Sequence, residues 1–189
     1  MKIFLDDGDR YMFLFILAEV VKEYDLECYD FCLMDTHFHL SIRNRRKNLS
    51  DAMQKLKGEY AANWNVKHRR VGHAFEGPFK DQIVQQEQYF LNLTRYIARN
   101  PVRARLVDTP QDWRWSSYRY HAGFDPSPRF LATHLVLDHF GNDRGEARAA
   151  YVAHVASITD CEREAAVFRS RRRVIGDKAF KAAITAGKK

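Results

Sequence analysis

The sequence predicts an α/β protein of the α+β kind, on three observations. Apolar residues at helical spacing open the chain, two short aromatic-rich runs joined by a turn follow, and Ala, Leu and Val stripes at helical spacing close it. A chain of 189 residues makes one ordinary domain with at most an appendage. With 46% apolar and 13% aromatic side chains it has enough surface to bury, which excludes wholesale disorder.

Each element has a local reason. After Asp9, read as an N-cap, Phe13, Leu17, Val20, Val21 and Tyr24 recur on one face and predict an amphipathic helix over 9–24. Residues 26–34 (LECYDFCLM) and 37–43 (HFHLSIR) flank the short turn Asp35-Thr36 and predict a β-hairpin. A polar loop then leads to Ser50, the N-cap of a helix with Met53, Leu56, Tyr60 and Trp64 on one side, slightly weakened by Gly58. Residues 66–79 form a loop broken by GHAFEGPF, and DQIVQQ is a short strand. A third helix runs from Glu87 to Arg99, where Pro101 imposes a break and NPVRARLV restarts as a short helix capped by Asn100. WRWSSYRYHAG has no assigned period. Beyond the linker FDPSPRF, residues 130–154 and 160–186 read as two helices, so residues 124–189 form a helical appendage to the α/β part at 1–123.

The longest apolar run, Tyr11 to Val21, contains Glu19 and is far shorter than the roughly 20 residues a membrane span needs. The N-terminus MKIFLDDGDR lacks the order of a secretory signal, so the expected location is cytoplasmic. Cys28, Cys32 and Cys161 form no C-x-x-C and read as reduced, mostly buried thiols. The net charge of +7 is unevenly spread: residues 1–40 carry −6, residues 41–120 carry +9 and residues 121–189 carry +4. Lys and Arg interleaved with Tyr, Trp and Phe in the middle third suit a phosphate backbone and unstacked bases. A solvated basic surface would look the same, so charge alone decides nothing.

The sharpest chemical signal is His37-Phe38-His39. Side chains alternate across a strand, so His37, His39 and Ser41 face one way and Phe38, Leu40 and Ile42 the other. Two neutral imidazoles on one rigid face can share a divalent ion and leave positions open for a phosphate oxygen. Two surface histidines would also explain the pattern, so the pair needs a partner. On the third helix, Tyr89, Leu93, Tyr96 and Asn100 share a face. A phenol with a reference pKa of about 10 is a poor nucleophile unless a metal organises the attack on a phosphodiester. The amide oxygen of Asn100 could complete such a site, and oxygen with imidazole suits Mg²⁺ or Mn²⁺. A core tyrosine and a capping asparagine are the plain alternatives.

The strings CLMDTHFHL, LSDAMQKLKGEYAANWNVKHRRVGHAFEGPFK, YFLNLTRYIARNPVRARLV and PQDWRWSSYRYHAG, in this order, resemble the single-tyrosine HUH transposases of insertion sequences, in particular the REP-associated tyrosine transposases. The resemblance covers roughly residues 3–123 and is specific as a joint pattern. It implies a ferredoxin-like antiparallel sheet with helices on one face and the HUH strand central. It further implies metal-dependent nicking and rejoining of single-stranded or hairpin DNA through a 5′-phosphotyrosine. His37 and His39 match the HUH pair, Tyr96 matches the nucleophile, and Asn100 stands at the polar third ligand. Arg43, Arg45, Arg46, Lys57, Lys67, Arg69, Arg70, Lys80, Arg99 and Arg103 are the expected phosphate contacts. Trp64, Phe75, Phe79, Trp115 and Tyr118 are candidate stacking platforms, at least half of them destined for the core. Related enzymes occur as homodimers and as monomers, and either state is open.

Two departures stand out. Similar proteins begin with a strand before the segment matching KIFLDDGDR, and its loss would expose an edge near the HUH strand. The true start lies upstream, or another segment or subunit fills the gap, or the copy has decayed. Arg105 replaces the glycine of NPVRAGLV, a costly exchange if the position needs φ > 0. A non-cutting DNA-binding descendant is therefore the competing expectation. A phosphoesterase with two H-x-[ST] motifs fails, since His39-Leu40-Ser41 stands alone, and no G-x-S-x-G supports a serine hydrolase.

Overall fold

The computed structural model describes residues 1–75, 77, 79–157, 161–170 and 173–186, of which residues 86–88 and 161–164 by their backbone alone. Helix α1 (Asp7–Glu23) begins two residues earlier than Asp9 suggested, because Asp6 is its N-cap. Asp6 accepts the Asp9 N–H at 2.9 Å and Asp9 accepts the Asp6 N–H at 3.4 Å, a reciprocal capping box. Helix α2 (Leu49–Lys67) starts after Asn48 rather than Ser50. The stripes of the two helices, Phe13, Leu17 and Val20 with Leu56, Tyr60 and Trp64, interlock in one core, and the Tyr60 hydroxyl donates to the Ile3 carbonyl.

Strands β1 (Leu26–Leu33) and β2 (Phe38–Asn44) form the expected antiparallel hairpin, with Phe31 opposite Leu40 and Cys32 opposite His39. β1 is buried along nearly its whole length and is bonded on both edges. On the side away from β2, Leu33 donates to the Trp115 carbonyl at 2.8 Å, Ser117 to that of Phe31 at 2.9 Å and Ala132 to that of Cys28 at 2.8 Å. The α+β class holds, yet the central strand is β1, and the histidine-bearing β2 lies at the edge, paired with β1 alone among the described residues. Composition explains the order: LECYDFCL tolerates burial on both faces, whereas β2 ends in Ser-Ile-Arg-Asn and suits a half-exposed edge.

Helices also cover both faces, not one. Leu26, Phe31 and Leu33 of β1 pack in the core of α1 and α2, while Cys32 and Met34 pack against Leu93, Tyr96 and Ile97 of α3 (Gln86–Arg103). A bulge between Cys28 and Asp30 shifts the register and changes which residues face α3.

Pro101 does not break α3. The helix continues to Arg103, losing the one backbone bond to the Ile97 carbonyl, while Asn100 Nδ2 donates to the Tyr96 carbonyl at 2.8 Å. It ends in a Schellman motif, with Arg105 N–H on the Val102 carbonyl at 2.9 Å and Leu106 N–H on the Pro101 carbonyl at 3.0 Å. Arg105 has φ +56°, so the position does require the left-handed region.

Past a 3-10 turn at Pro110–Asp112, α4 (Tyr118–Ala122) closes on Gly123 at φ +83°. The two long C-terminal helices expected are instead α5 (Thr133–Leu137), α6 (Arg144–Ala156), α7 (Cys161–Arg169) and α8 (Lys178–Ala186). Gly141 at φ +138° and the Asp143 N-cap interrupt the first. Strand β4 (Val174–Ile175) interrupts the second by pairing in parallel with β3 (Ile83–Val84). This part shares a core with the rest: Val136, Tyr151 and Val155 pack with Tyr29, Phe90 and Tyr118. Cys28 and Cys32 are free and buried, and the Cys161 side chain, Arg171 and Arg172 lie outside the described residues. No described helix is long and apolar enough to cross a membrane.

Candidate active site

Alternation along β2 sorts its side chains between two layers. Phe38, Leu40 and Ile42 join the core under α1 and α2, so His39 faces α3. His37 sits just before the strand, and its ring lies 4.9 Å from that of His39 at 87°. The two imidazoles therefore share one side. His37 is exposed, with Nδ1 3.0 Å from Thr36 Oγ1. His39 Nε2 is buried and has no hydrogen-bond partner among the described residues. An orphaned buried nitrogen costs free energy unless something supplied from outside satisfies it.

Partial desolvation of its ring against the protein pushes the otherwise exposed His37 imidazole below 6.5, and His39 falls to about 3 as burial is reinforced by the His37 and Arg103 charges. Both rings are thus neutral at neutral pH, the form that ligates a metal.

Helix α3 brings Tyr96 to the same place. Its ring lies 5.6 Å from that of His39 at 81°, 5.2 Å from the Phe168 ring of α7, and 5.1 Å from the Arg103 guanidinium carbon. Asn100 follows one turn later; its amide nitrogen bonds back to the helix, which leaves the amide oxygen as the atom that could ligate. The imidazole pair and the orphaned nitrogen fit a hard divalent ion with open positions, and no carboxylate completes a three-ligand cluster around them among the described residues.

A different cluster escaped the sequence reading. Ligand atoms of Asp6, Asp9 and His68 all lie within 4.8 Å of one another. Their cation is already present: Lys67 Nζ is 2.5 Å from Asp6 Oδ1 and 2.7 Å from Asp9 Oδ1, with His68 Nε2 2.8 Å from the latter. The Asp9 carboxylate also accepts the Leu5 N–H at 2.8 Å. Burial raises the Asp9 pKa, but the Lys67 and His68 hydrogen bonds outweigh it and hold the group below 3.8. The D-x-x-D spacing could have signalled the capping box, whereas the partners from the end of α2 have no local signature.

The expected phosphate contacts separate into two groups. Arg43 and Arg45 pair with the half-buried Glu27 at 3.6 and 2.5 Å and Arg46 with Asp25 at 2.9 Å, all three arginine side chains being exposed. Lys57 reaches the Gly77 carbonyl at 2.8 Å over the Phe75 ring, Arg70 covers Trp64, and Arg69 and Lys80 are exposed. Lys67, Arg99 and Arg103 have partners within the protein: Lys67 in the ion-pair cluster, Arg99 on the Val155 carbonyl at 3.1 Å, Arg103 over the Tyr96 ring. Of the candidate platforms, Trp64, Trp115 and Tyr118 are buried, while Phe75 and Phe79 pack partly buried at the core's edge.

No curated protein and no solved structure matched this chain. A family model did, over a span that contains His37, His39, Tyr96 and Asn100. It is described as "Transposase IS200 like" and matches residues 2–100, more than half of the sequence, so the chain belongs to the IS200-like transposase family.

Proposed function

We propose that this transposase nicks and rejoins single-stranded or hairpin DNA with Tyr96 as its nucleophile. The observation that carries the reading is the Tyr96 ring set against His39, whose buried Nε2 lacks a partner, beside His37. His37, His39 and the Asn100 amide oxygen are the residues that would hold Mg²⁺ or Mn²⁺, and the bound ion would polarise the phosphodiester and neutralise charge on its oxygens.

The Tyr96 hydroxyl oxygen forms the new bond to phosphorus, and the bond from phosphorus to the 3′ oxygen breaks. The phenolic proton passes to solvent and the departing oxygen takes one up, giving a 5′-phosphotyrosine and a free 3′-OH; the reverse exchange rejoins the strand. Arg103, against the Tyr96 ring, holds the phenol in place and adds positive charge beside the incoming phosphate. Arg43, Arg45, Arg46, Lys57, Arg69, Arg70 and Lys80 form the track for the DNA backbone. Residues 1–123 carry the chemistry and 124–189 brace α3 through Phe168 and Val155, in a cytoplasmic protein able to act as monomer or homodimer.

A second reading, a DNA-binding descendant that no longer cuts, draws on the contacts of Tyr96 with both Phe168 and Arg103, which crowd the phenol. One experiment separates the two. Oligonucleotides from the flanking DNA are incubated with the protein, with and without Mn²⁺, and covalent adducts are resolved on denaturing gels. Metal-dependent adducts lost in Tyr96→Phe support the nicking reading and remove the second. Adducts that persist in Tyr96→Phe refute the nucleophile, and salt-sensitive, metal-independent binding without adducts leaves the non-cutting module.

A further inference from the structure

Directly behind the candidate site lies a buried polar knot that the chemistry does not use. Asp30 is fully buried, and its Oδ2 accepts the Thr94 hydroxyl of α3 at 3.0 Å. Its Oδ1 accepts the Ser117 hydroxyl at 3.3 Å, and Ser117 Oγ in turn accepts the Phe31 N–H at 3.2 Å. His121 Nε2 lies 3.0 Å from the Tyr29 carbonyl and 3.3 Å from Asp30 Oδ1. Thr94, Ser117 and His121 are as buried as Asp30. Serine, histidine and aspartate meet here with no surface on which a substrate could land, and the serine points at the carboxylate rather than at the imidazole. The knot is not a hydrolase centre.

Its cost demands another account. A buried carboxylate is hard to retain where an apolar side chain would pack, unless the bonds it makes select one arrangement among several similar ones. The apolar contacts between α3 and the sheet, Ile97 with Cys32 and Met34, set the depth of the helix but allow it to roll. Among the described residues the Thr94 hydroxyl makes the directional bond from α3 to β1, at the bulge beside Asp30, while Arg99 on the Val155 carbonyl and His154 on the Leu91 carbonyl tie the helix to α6. Thr94 is two residues from Tyr96.

We propose that Asp30 is a positioning residue: through Thr94 it fixes the rotation of α3 and thereby the placement of the Tyr96 hydroxyl relative to His37 and His39. The inference rests on Tyr96 being the nucleophile. A tyrosine hydroxyl stands roughly 9 Å from its helix axis, so a roll of about 10° carries it about 1.5 Å. Displacements of about 1 Å in a reacting group cost on the order of a hundredfold in rate.

The test uses the full chain with Thr94→Val, Asp30→Ala and Asp30→Asn, the last keeping an acceptor for Thr94. Adduct formation is followed in single turnovers at saturating oligonucleotide with Mn²⁺, affinity by fluorescence anisotropy, and the setting of residue 96 by the ¹⁹F resonance of 3-fluorotyrosine placed there. Thr94→Val and Asp30→Ala are expected to slow adduct formation at least tenfold with affinity within twofold of the parent, and to shift the ¹⁹F resonance. Asp30→Asn restores most of the rate. Leu17→Val, in the core on the other face of the sheet, serves as a control for lost stability. An unmoved resonance in folded Thr94→Val, or an equal loss of rate in Leu17→Val at matched stability, overturns the proposal. If the parent forms no adduct, the nucleophile assignment fails, and the ¹⁹F shift still decides whether Asp30 governs the roll of α3.

Discussion

Replacing Arg105 by glycine should make the protein more stable. Arg105 occupies the position just past α3, at φ +56°, and its N–H closes the cap on the Val102 carbonyl. A side chain in the left-handed region costs about 1–2 kcal/mol, because Cβ approaches the following carbonyl oxygen. Glycine removes that cost but is freer in the unfolded chain, which offsets about 0.5–1 kcal/mol. The Arg105 side chain is exposed and, among the described residues, enters no ion pair or side-chain hydrogen bond that its loss would forfeit. The net gain is about 0.5–1 kcal/mol, a rise in Tm of roughly 1–4 °C for a chain of this size. Differential scanning calorimetry measures it, with urea unfolding as a second reading of the same difference. Arg105→Ala isolates the cause, since alanine keeps Cβ and should leave Tm within about 1 °C of the parent, apart from small losses of solvation. A Tm for Arg105→Gly that equals that of Arg105→Ala, or lies below the parent, would refute the account of strain at this cap.

Four further outcomes follow. Because burial holds the folded His39 pKa near 3 against 6.5 unfolded, its contribution is complete above pH 6.5 and drains as pH falls toward 3. Stability should then decline below pH 6.5 with a slope approaching about 1.4 kcal/mol per pH unit, and His39→Phe should flatten that stretch; an unchanged slope would show that His39 is not the titrating group. Lys67→Met removes the cation from buried Asp9 and should cost about 1–2 kcal/mol, discounted for the partial exposure of Lys67, without altering the salt dependence of DNA binding. Arg45→Ala should do the reverse, lowering the salt slope by about 1 at near-constant Tm, so exchanged phenotypes would reassign both residues. At Gly176 an added Cβ would meet Phe180 and the Gln85 amide oxygen, so Gly176→Ala should loosen the β3–β4 pair and expose the segment before α3 to limited proteolysis, and a cleavage pattern like the parent's would count against that latch.

What the sequence revealed follows the range of the forces involved. The hairpin lies within a residue of its expected bounds because alternation and turn chemistry act between near neighbours, and the same alternation placed His37 and His39 together. The stripe of α1 was equally legible, but Asp9 read as its cap, and the reciprocal bond between Asp6 and Asp9 puts Asp6 in that place. Pro101 misled because its cost in the last turn of a helix is one bond, too little to end α3 when its inner face is packed. Lys67 looked like any other basic residue; its partners come from the start of α1, and long-range pairing leaves no trace in local composition. Strands of two residues, such as Ile83–Val84 and Val174–Ile175, carry too few side chains to show a period at all.

The pairing of Ile83 with Val174 also gives the protein a history. At about 5–20 residues per second, a ribosome needs roughly 5 to 20 s to pass from one strand to the other. Through that interval the hairpin with its histidines is already made and the helix that bears Tyr96 is completed early, while the strand that latches the entrance to α3 does not yet exist. A chain that stops short of Val174 would thus hold His37, His39 and Tyr96 without the strand that pairs with the segment leading into α3.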